Sequence, residues 1–578
     1  MLLVQTSYCD LNCAITAWNL EKLECNAIGE KDNYILDITK ESDLADTKTT
    51  ETFRKFDWTK IKTFKVKNAK LLKFTENLFE NASVLVNLDL SENPDLCFFG
   101  NEFVHLKKLQ TLRLSGTGRC GKQSLLAELP HLHSLDLSYV RIISDVFSLN
   151  NLNSFPSLKL LDISRNHNFE IDFTKFNIGG VLESLNTAQT KVKVGNRCFV
   201  DAKSLKKLIM SDSRIRVIPK DTFEGTAITY LDISSNALSA AALNSLTESM
   251  SHVNVSHNKI DDVFRSEIFK QSLEILDLSF NKLDHMHAAS FSLTSKLKTL
   301  ILSHNKFHWF YARLLADLPA LNFLDLSHNV VYTFGASFFD DLISLETLNL
   351  ADNLIAALNN NVFQKNENLE NLYLQDNNIE ILNILTFAPL KRLRFLDLRN
   401  NKLTRLPEDF FSVLDLNTFL FSCNRMTYLS GSFFKGKPGT IVSLHGNPWK
   451  CSLLSVRANM LARRFNRCSS PVKKQIFQSY CMSFYTGELW TRNSQGVMNT
   501  LRVQYNNAYR ALFGLPWRCS ASQMFAEGRV HGFAALMRHR IAGVSQRYQR
   551  SENTLVQAVA QWQGAPLHQT WRIHLKLP

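Results

Sequence analysis

The chain has 578 residues and a formal net charge of +13, from 66 Lys and Arg against 53 Asp and Glu. Its 45% hydrophobic content suffices for a large buried core and excludes an intrinsically disordered chain. No apolar run reaches the roughly 18 residues of a membrane-spanning helix. A P-loop, a dinucleotide fingerprint and a nucleophile–base pattern are all missing from the sequence. We therefore expect no enzyme, no cofactor and no transmembrane segment.

The first 25 residues precede any repeat and contain Cys9, Cys13 and Cys25. The apolar run at residues 1–4 is shorter than the roughly 7–15 residues of a signal-peptide core. We expect either that the natural start lies further upstream or that the chain is not secreted in this form.

The pattern L-x-x-L-x-L-x-x-N recurs seventeen times up to residue 450, most clearly at residues 273–281 (LEILDLSFN), 321–329 (LNFLDLSHN) and 393–401 (LRFLDLRNN). Its second apolar residue returns every 22 to 26 residues. These residues are Phe64, Leu88, Leu112, Leu135, Leu161, Leu185, Leu208, Leu231, Val253, Leu276, Leu300, Leu324, Leu348, Leu372, Leu396, Phe419 and Val442. This period predicts leucine-rich repeats, in which each repeat forms one coil of a solenoid.

Each repeat predicts a short strand around L-x-L whose alternate side chains enter the core, and neighbouring strands should pair in parallel. The ninth position should turn the chain, where an asparagine amide can bond backbone groups that the turn leaves unpaired. Asparagine occupies it at Asn93, Asn166, Asn236, Asn258, Asn281, Asn305, Asn329, Asn353, Asn377, Asn401, Asn424 and Asn447. Thr117, Val140, Thr190 and Ser213 replace it elsewhere.

A phenylalanine column lies fifteen residues after the middle apolar residue and should stack as a spine under the convex side. Its members are Phe79, Phe103, Phe176, Phe223, Phe291, Phe339, Phe363, Phe387, Phe411 and Phe434. The leucine, asparagine and phenylalanine columns are all interpreted as scaffold.

The period and the two columns together resemble the typical extracellular subclass of leucine-rich repeat proteins, which includes insect cell-surface adhesion proteins and Toll-type receptor ectodomains. The resemblance covers about residues 50–450. It implies an α/β-type solenoid curved like a horseshoe, with a parallel β-sheet on the concave face and irregular or 3₁₀ segments on the convex face. It also implies a protein-binding module that is secreted or held at the cell surface, without naming the ligand.

The same resemblance implies cysteine caps at both ends of the repeats. Residues 1–25 would form a partial N-terminal cap, and residues 447–470 a truncated C-terminal cap with Cys451 and Cys468. Cys97 and Cys120 occupy near-equivalent places in adjacent repeats and could pair. Eleven cysteines is an odd number, so at least one thiol is free or pairs with another chain.

Two Asn-x-Ser triplets, at Asn81 and Asn254, permit glycosylation in an extracellular protein. Such triplets are also common by chance, so they are weak predictors of a glycan.

The composition changes after about residue 470, where 13 Lys and Arg face only three Glu, so the rest of the chain is nearly neutral. The blocks at residues 473–481 (KKQIFQSYC), 483–490 (SFYTGELW), 501–510 (LRVQYNNAYR), 515–522 (LPWRCSAS) and 524–527 (MFAE) stand here. They resemble the region that follows the polymerase core in non-LTR retrotransposon reverse transcriptases. The metal-binding Tyr-x-Asp-Asp motif of that core is missing, so we expect no polymerase activity.

Apolar residues in this tail recur at helical spacing, at Val497, Leu501, Tyr505, Ala508 and Leu512. A second set comprises Phe533, Leu536, Ile541 and Val544. Arg538, Arg540, Arg547 and Arg550 would give a basic face for weak nucleic-acid contact. The alternatives are a solvated charged surface or a fragment that does not fold without its missing core.

Exposed aromatic side chains on an otherwise polar concave sheet predict a contact patch for a protein partner. The candidates occupy positions three and eight of repeats eight to twelve: Tyr230, His252, His257, Phe280, His304, Phe323 and His328. We expect acidification to weaken binding as the histidines gain charge. The alternative is that L-S-H-N is simply a frequent repeat variant. Zinc binding by His304 and His328 fits the spacing, but two ligands make a poor site.

We interpret residues 26–450 as a leucine-rich repeat solenoid of about 17 repeats and residues 471–578 as a separate basic helical tail. The predicted function is non-catalytic protein recognition outside the cell or at its surface. The competing hypothesis is nucleic-acid association through the retroelement-like tail, without polymerase activity.

Overall fold

A computed structural model describes residues 2–3, 14–15, 34–39, 53, 56–68, 71, 77–96, 98, 102–118, 129–140, 155–175, 178, 180–263, 269–311, 313–407, 410–427, 440–443, 446–448, 473, 495–516, 518–532 and 534–536. The chain forms two compact units. The first comprises Met1–Val331 and Ser337–Leu348, and the second Tyr332–Ala336 and Asn349–Pro578.

The first unit is built on short strands, and each of its repeats contributes one strand to a common parallel sheet. In chain order they are β1 (Leu2–Leu3), β2 (Ala14–Ile15), β3 (Tyr34–Thr39), β4 (Ile61–Lys67), β5 (Asn87–Asp89), β6 (Thr111–Arg113), β7 (Ser134–Asp136), β8 (Leu160–Asp162), β9 (Glu170–Asp172), β10 (Ser184–Asn186), β11 (Lys191–Lys193), β12 (Lys207–Ile209), β13 (Tyr230–Asp232), β14 (His252–Asn254), β15 (Ile275–Asp277), β16 (Thr299–Ile301) and β17 (Phe323–Asp325). Strands β3 to β17, without β9 and β11, pair in parallel in chain order. β9 and β11 form a separate parallel pair, and β1 and β2 an antiparallel one.

The strands pair in the register that the leucine pattern predicts. Leu276 lies opposite Leu300, and Leu300 opposite Leu324, so equivalent residues of successive repeats stack. All three side chains are fully buried. Because one repeat cannot bury its apolar face alone, this stacking of coils supplies the core. The predicted leucine-rich repeat solenoid is confirmed.

The asparagine column ties each turn to the backbone of two repeats. The side-chain amide of Asn329 donates to the carbonyls of Leu302, Leu326 and Ser327, each at 3.1 Å. Its Oδ1 accepts from the amide of Phe307 at 3.1 Å. Both N–H groups and the Oδ1 are thus engaged, with one N–H shared between two carbonyls, as the sequence predicts. At the replaced position Thr117, the hydroxyl donates to a single carbonyl at 2.8 Å.

Between strands the described chain runs mainly through turns, with one 3₁₀ helix at Ala240–Ser245. The phenylalanine column is buried wherever its side chains are described: Phe79, Phe103, Phe223, Phe291, Phe339, Phe363 and Phe387. Phe176 and Phe434 lie outside the described residues, as does the side chain of Phe411. Phe199 and Phe269 join the column one residue out of step, stacking on Phe223 at 5.7 Å and on Phe291 at 5.3 Å.

An aromatic cluster packs against the first repeats. Trp58 is 4% exposed and meets the rings of Phe64 and Phe79 edge-on at 5.1 and 5.2 Å. Its indole N–H donates to the carbonyl of Phe53 at 3.0 Å. This indole therefore covers apolar surface next to β4.

Strand β18 (Thr347–Asn349) follows, and the second unit continues the repeats with β19 (Asn371–Tyr373), β20 (Phe395–Asp397), β21 (Thr418–Leu420) and β22 (Ile441–Ser443). β19 to β22 pair in parallel in chain order. Short helices lie at Ile384–Phe387 and Phe410–Val413.

The described part of the tail contains two further helices, Gln495–Phe513 and Ala521–Glu527. The first confirms the helical spacing read from the sequence. Tyr505 is fully buried, stacks on Phe525 at 5.3 Å, and its hydroxyl donates to the carbonyl of His531 at 2.7 Å. Burial raises the pKa of neighbouring Tyr509. These helices thus share a small core of their own.

Candidate functional site

Position eight of each repeat, just before the asparagine position, has a left-handed backbone. Its φ runs from 50° at Asp212 to 70° at Gly446. The residues are Asn68, Glu92, Gly116, Tyr139, Arg165, Gln189, Asp212, Ser235, His257, Phe280, His304, His328, Asp352, Asp376, Asn400, Cys423 and Gly446. From Asn68 to His304 the amide here donates to the position-seven carbonyl of the next repeat, as His257 does to Ser279 at 2.9 Å. The backbone therefore aims successive position-eight side chains in one direction.

Four rings at this position form a continuous stack, which we call the ring ladder: His257, Phe280, His304 and His328. Their centroids lie 4.0, 3.8 and 3.9 Å apart, and their planes are within 13° of parallel. His257, Phe280 and His328 are exposed, and His304 is half-buried. Four of the seven predicted contact residues are thus brought together on one surface.

Phe280 has an unusual backbone conformation for its residue type, with φ at 52°. The left-handed region costs an L-residue roughly 1–2 kcal/mol, and asparagine, aspartate and histidine tolerate it better than phenylalanine. Stacking on His257 and His304 contributes about 0.5–1.5 kcal/mol for each ring pair and offsets that cost. The phenyl ring is 41% exposed although it is held on both faces.

The remaining predicted residues lie on the strands, at position three. Tyr230 and His252 are cross-strand partners in β13 and β14, with ring centroids 6.1 Å apart. The Lys207 ammonium lies 5.0 Å from the Tyr230 ring centroid, a cation–π contact. Burial, together with the Asp232 carboxylate, raises the pKa of the Tyr230 hydroxyl. Phe323 is half-buried on β17 and is not part of the ring ladder.

The position-five carboxylates and amides are part of the turn. Asp277 Oδ1 accepts from the amide of Ser279 at 2.8 Å, and Asp325 and Asn254 make the same bond to Ser327 and Ser256. These side chains stabilise the backbone between the strand and position eight.

The sequence analysis did not predict an aromatic cluster that follows the turn carrying His304. Trp309 and Tyr311 are 40% and 43% exposed, and their rings meet edge-on at 4.5 Å. Val330, 41% exposed, is placed nearby because its amide donates to the carbonyl of Phe307 at 2.9 Å. These residues belong to none of the repeat columns, so periodicity gave no signal. The run FHWFY at residues 307–311 is the local signal that points to them.

A buried carboxylate lies on the same side of the repeats. Asp262 Oδ2 is 3.6 Å from Nε2 of His285, whose Nδ1 is paired with Asp284. Burial raises the pKa of Asp262, and the His285 charge partly opposes that shift. The hydrogen bond from His285 lowers the pKa of Asp284.

Comparison with known proteins agrees with this architecture. The leucine rich repeat family model matches residues 248–307, 271–331, 333–379 and 343–403. A solved leucine-rich repeat protein of Leptospira interrogans is similar, with a TM-score of 0.52 and 22% identity over 72% of this chain and 95% of that one. The chain has the leucine-rich repeat fold.

Two further proteins are similar over part of their length. A curated zebrafish (Danio rerio) protein, transforming growth factor beta activator LRRC33, is 26% identical over 253 residues, which is 40% of this chain and 36% of that protein. The chain thus spans about a third of that relative's length. A chain of the solved Drosophila Toll–Spatzle complex is similar with a TM-score of 0.47 and 18% identity, over 71% of this chain and 64% of that chain.

The cysteines predicted to cap or bridge the repeats all lie outside the described residues: Cys9, Cys13, Cys25, Cys97, Cys120, Cys451 and Cys468. Among described residues, Cys198, Cys423 and Cys519 are free thiols. The tail arginines Arg538, Arg540, Arg547 and Arg550 are also outside the described part. The disulfide and nucleic-acid hypotheses stay predictions.

The two predicted glycosylation sites differ in surroundings. Asn81 is exposed in a turn, whereas Asn254 is half-buried on β14 with its Oδ1 accepting from the Ser256 amide. Asn81 is therefore the more accessible acceptor of the two.

No set of three His, Cys, Asp or Glu side chains is grouped to hold a metal ion in the part of the chain that the structure describes. Within those same residues, no helix has the length and apolar character needed to cross a bilayer.

Proposed function

We propose that this leucine-rich repeat protein is a non-catalytic recognition module of receptor or adhesion type, which binds a protein ligand outside the cell or at its surface. The ring ladder carries the proposal. Three of its four rings are exposed, and all four are already ordered because each stacks on one or two neighbouring rings at 3.8 to 4.0 Å.

Such a surface suits protein binding on energetic grounds. Aromatic side chains supply large contact area with few rotatable bonds, and they are enriched where interfaces derive most of their binding free energy. Side chains that are ordered before association lose less conformational entropy on binding. A frequent repeat variant would explain one or two histidines, but it does not explain Phe280 at a left-handed position.

The ligand class is open to direct test. The zebrafish relative is named for activating transforming growth factor beta, which makes growth-factor-type proteins one class to include. We also propose that acidification weakens binding, because charged imidazoles on neighbouring repeats of the ring ladder would repel each other.

Photo-crosslinking from the ladder tests the proposal. A benzophenone amino acid is placed at Phe280 or, as a control, at Val217, which is 70% exposed on an earlier repeat. The full chain is incubated with cells that display extracellular proteins, and adducts are identified by mass spectrometry. We expect a protein adduct from position 280 and none from position 217.

The identified partner, once purified, should bind Phe280→Asn at least about tenfold more weakly than the wild type, the loss typical of an interface residue of this kind. Equal adducts from both positions, adducts to nucleic acid, or unchanged affinity of the Phe280→Asn variant would each refute the proposal.

A further inference from the structure

Resting on the proposed function, we propose that the ring ladder ends in a slot over Ser235 that receives one arginine side chain of the protein ligand. The guanidinium would stack on the outer face of His257 and pair with the carboxylate of Asp212. The slot therefore requires an accessible arginine on the protein ligand.

The slot follows from three consecutive position-eight residues, Asp212, Ser235 and His257. All three have a left-handed backbone, with φ of 50°, 55° and 53°. The amides of Asp212 and Ser235 donate to the next repeat's position-seven carbonyls at 3.0 and 2.9 Å, as in the ladder. Their side chains therefore follow the same direction as the rings.

The stack stops at His257 because Ser235 has no ring. His257 is in ring contact with Phe280 on one side, and Ser235, which is exposed, occupies the preceding rung. Neighbouring strands are about 4.7–4.9 Å apart, so a planar group lying over Ser235 would continue the spacing of the ladder. An added planar group cannot stack on Phe280 or His304, because both faces of these inner rings are already covered by neighbouring rings.

The carboxylate of Asp212 is the group with which a planar cation in the slot would pair. Asp212 is exposed on the far side, and Asp232 lies on β13 beside Ser235, with its Oδ1 accepting from the Ser234 amide at 3.0 Å. Arg214 is exposed on the turn that carries Asp212, and Lys259 is exposed at the same place on the turn that carries His257. Two carboxylates and two cations therefore balance on these three turns, and the preference for arginine rests on Asp212 and the outer face of His257.

Arginine fits this environment better than other side chains. Its guanidinium stacks on aromatic faces and pairs with carboxylates through parallel N–H donors. The chain already holds a cation on an aromatic face nearby, where the Lys207 ammonium lies 5.0 Å from the Tyr230 ring centroid. An aromatic side chain in the slot would instead desolvate Asp212 without pairing it.

A displayed library of random dodecapeptides, selected on the full-length protein, tests the slot. We expect enriched peptides to share an arginine whose replacement by citrulline, a planar neutral analogue, weakens binding about tenfold. Ser235→Phe fills the slot with a ring and should cause a comparable loss, and Asp212→Asn a smaller one. Arg165→Phe is the matched control: it places the same ring at position eight, with φ of 60°, three repeats earlier, and should change affinity less than twofold.

The outcomes separate this inference from the function on which it rests. Peptides that lose binding with Phe280→Asn but bind Ser235→Phe normally would overturn the slot and leave the ladder as a binding surface. Enrichment of tryptophan or tyrosine in place of arginine would also overturn it. Peptides insensitive to both variants, or no enrichment at all, would overturn the slot together with the proposed function.

Discussion

At the scale of single residues, the left-handed turn decides which side chains meet on the surface. The sequence singles out position eight as variable and rich in histidine between His257 and His328. It does not predict ring stacking, because stacking depends on φ as well as on spacing. The frequent Asp, Asn and Gly at position eight are a compositional sign of a left-handed backbone that periodicity arguments overlook.

Replacing Phe280 by asparagine is expected to leave the fold almost as stable as the wild type. Asparagine relieves roughly 1–2 kcal/mol of backbone cost, while two ring contacts of about 0.5–1.5 kcal/mol each are lost. The midpoint of thermal unfolding should therefore change by no more than about 2 °C. Phe280→Val is the contrasting variant, since a β-branched residue strains the same backbone without stacking. If valine is tolerated as well as asparagine, the turn does not impose the conformation described here.

At the scale of the repeat, the sequence predicts most of what the structure shows. Leucine spacing predicts the strands and their register, because a shift of one residue would turn every leucine towards water. The asparagine column predicts the turn bonds, because few side chains both donate twice and accept. The phenylalanine column is only partly predicted: Phe199 and Phe269 reach it from shifted positions, since irregular segments between strands vary in length. Trp309 and Tyr311 follow no column at all.

The asparagine bonds predict a graded effect at position nine. Asn329→Ala leaves the carbonyls of Leu302, Leu326 and Ser327 and the amide of Phe307 without this partner. Local stability should fall by at least about 2–3 kcal/mol, measured by hydrogen exchange of amides in β16 and β17. The local stability of Asn329→Thr should lie between those of the wild type and Asn329→Ala, because the threonine at position 117 makes one bond of this kind.

The exposed Asn360 provides the control for this series, and its replacement by alanine should leave exchange unchanged. Equal losses for threonine and alanine at position 329 would show that the side-chain bonds are not what stabilises the turn.

At the scale of the whole molecule, stability should be local, because each coil contacts its neighbours along the chain. Solenoids behave as nearly one-dimensional stacks, in which damage at one point spreads through adjacent interfaces. The first repeats of this chain depend on the aromatic cluster around Trp58.

Trp58→Ala is therefore expected to loosen the start of the solenoid first. Loss of the buried indole should speed amide exchange in β4 and β5 at least about tenfold, while β14 and β15 keep their wild-type rates. Trp309→Ala, which removes an exposed indole, should change neither region. Uniform acceleration across all four strands after Trp58→Ala would mean that the stack unfolds as a single cooperative block.

The backbone at position eight also limits how this scaffold can be diversified. Seventeen turns share one handedness, and none of them carries Val, Ile, Thr or Pro. A combinatorial library for new binding specificities would therefore do well to omit those four amino acids at this site. Codons for Asn, Asp, His, Gly and the aromatic residues would keep most variants folded. Aromatic residues at position eight of adjacent repeats would then set the length of the ring stack.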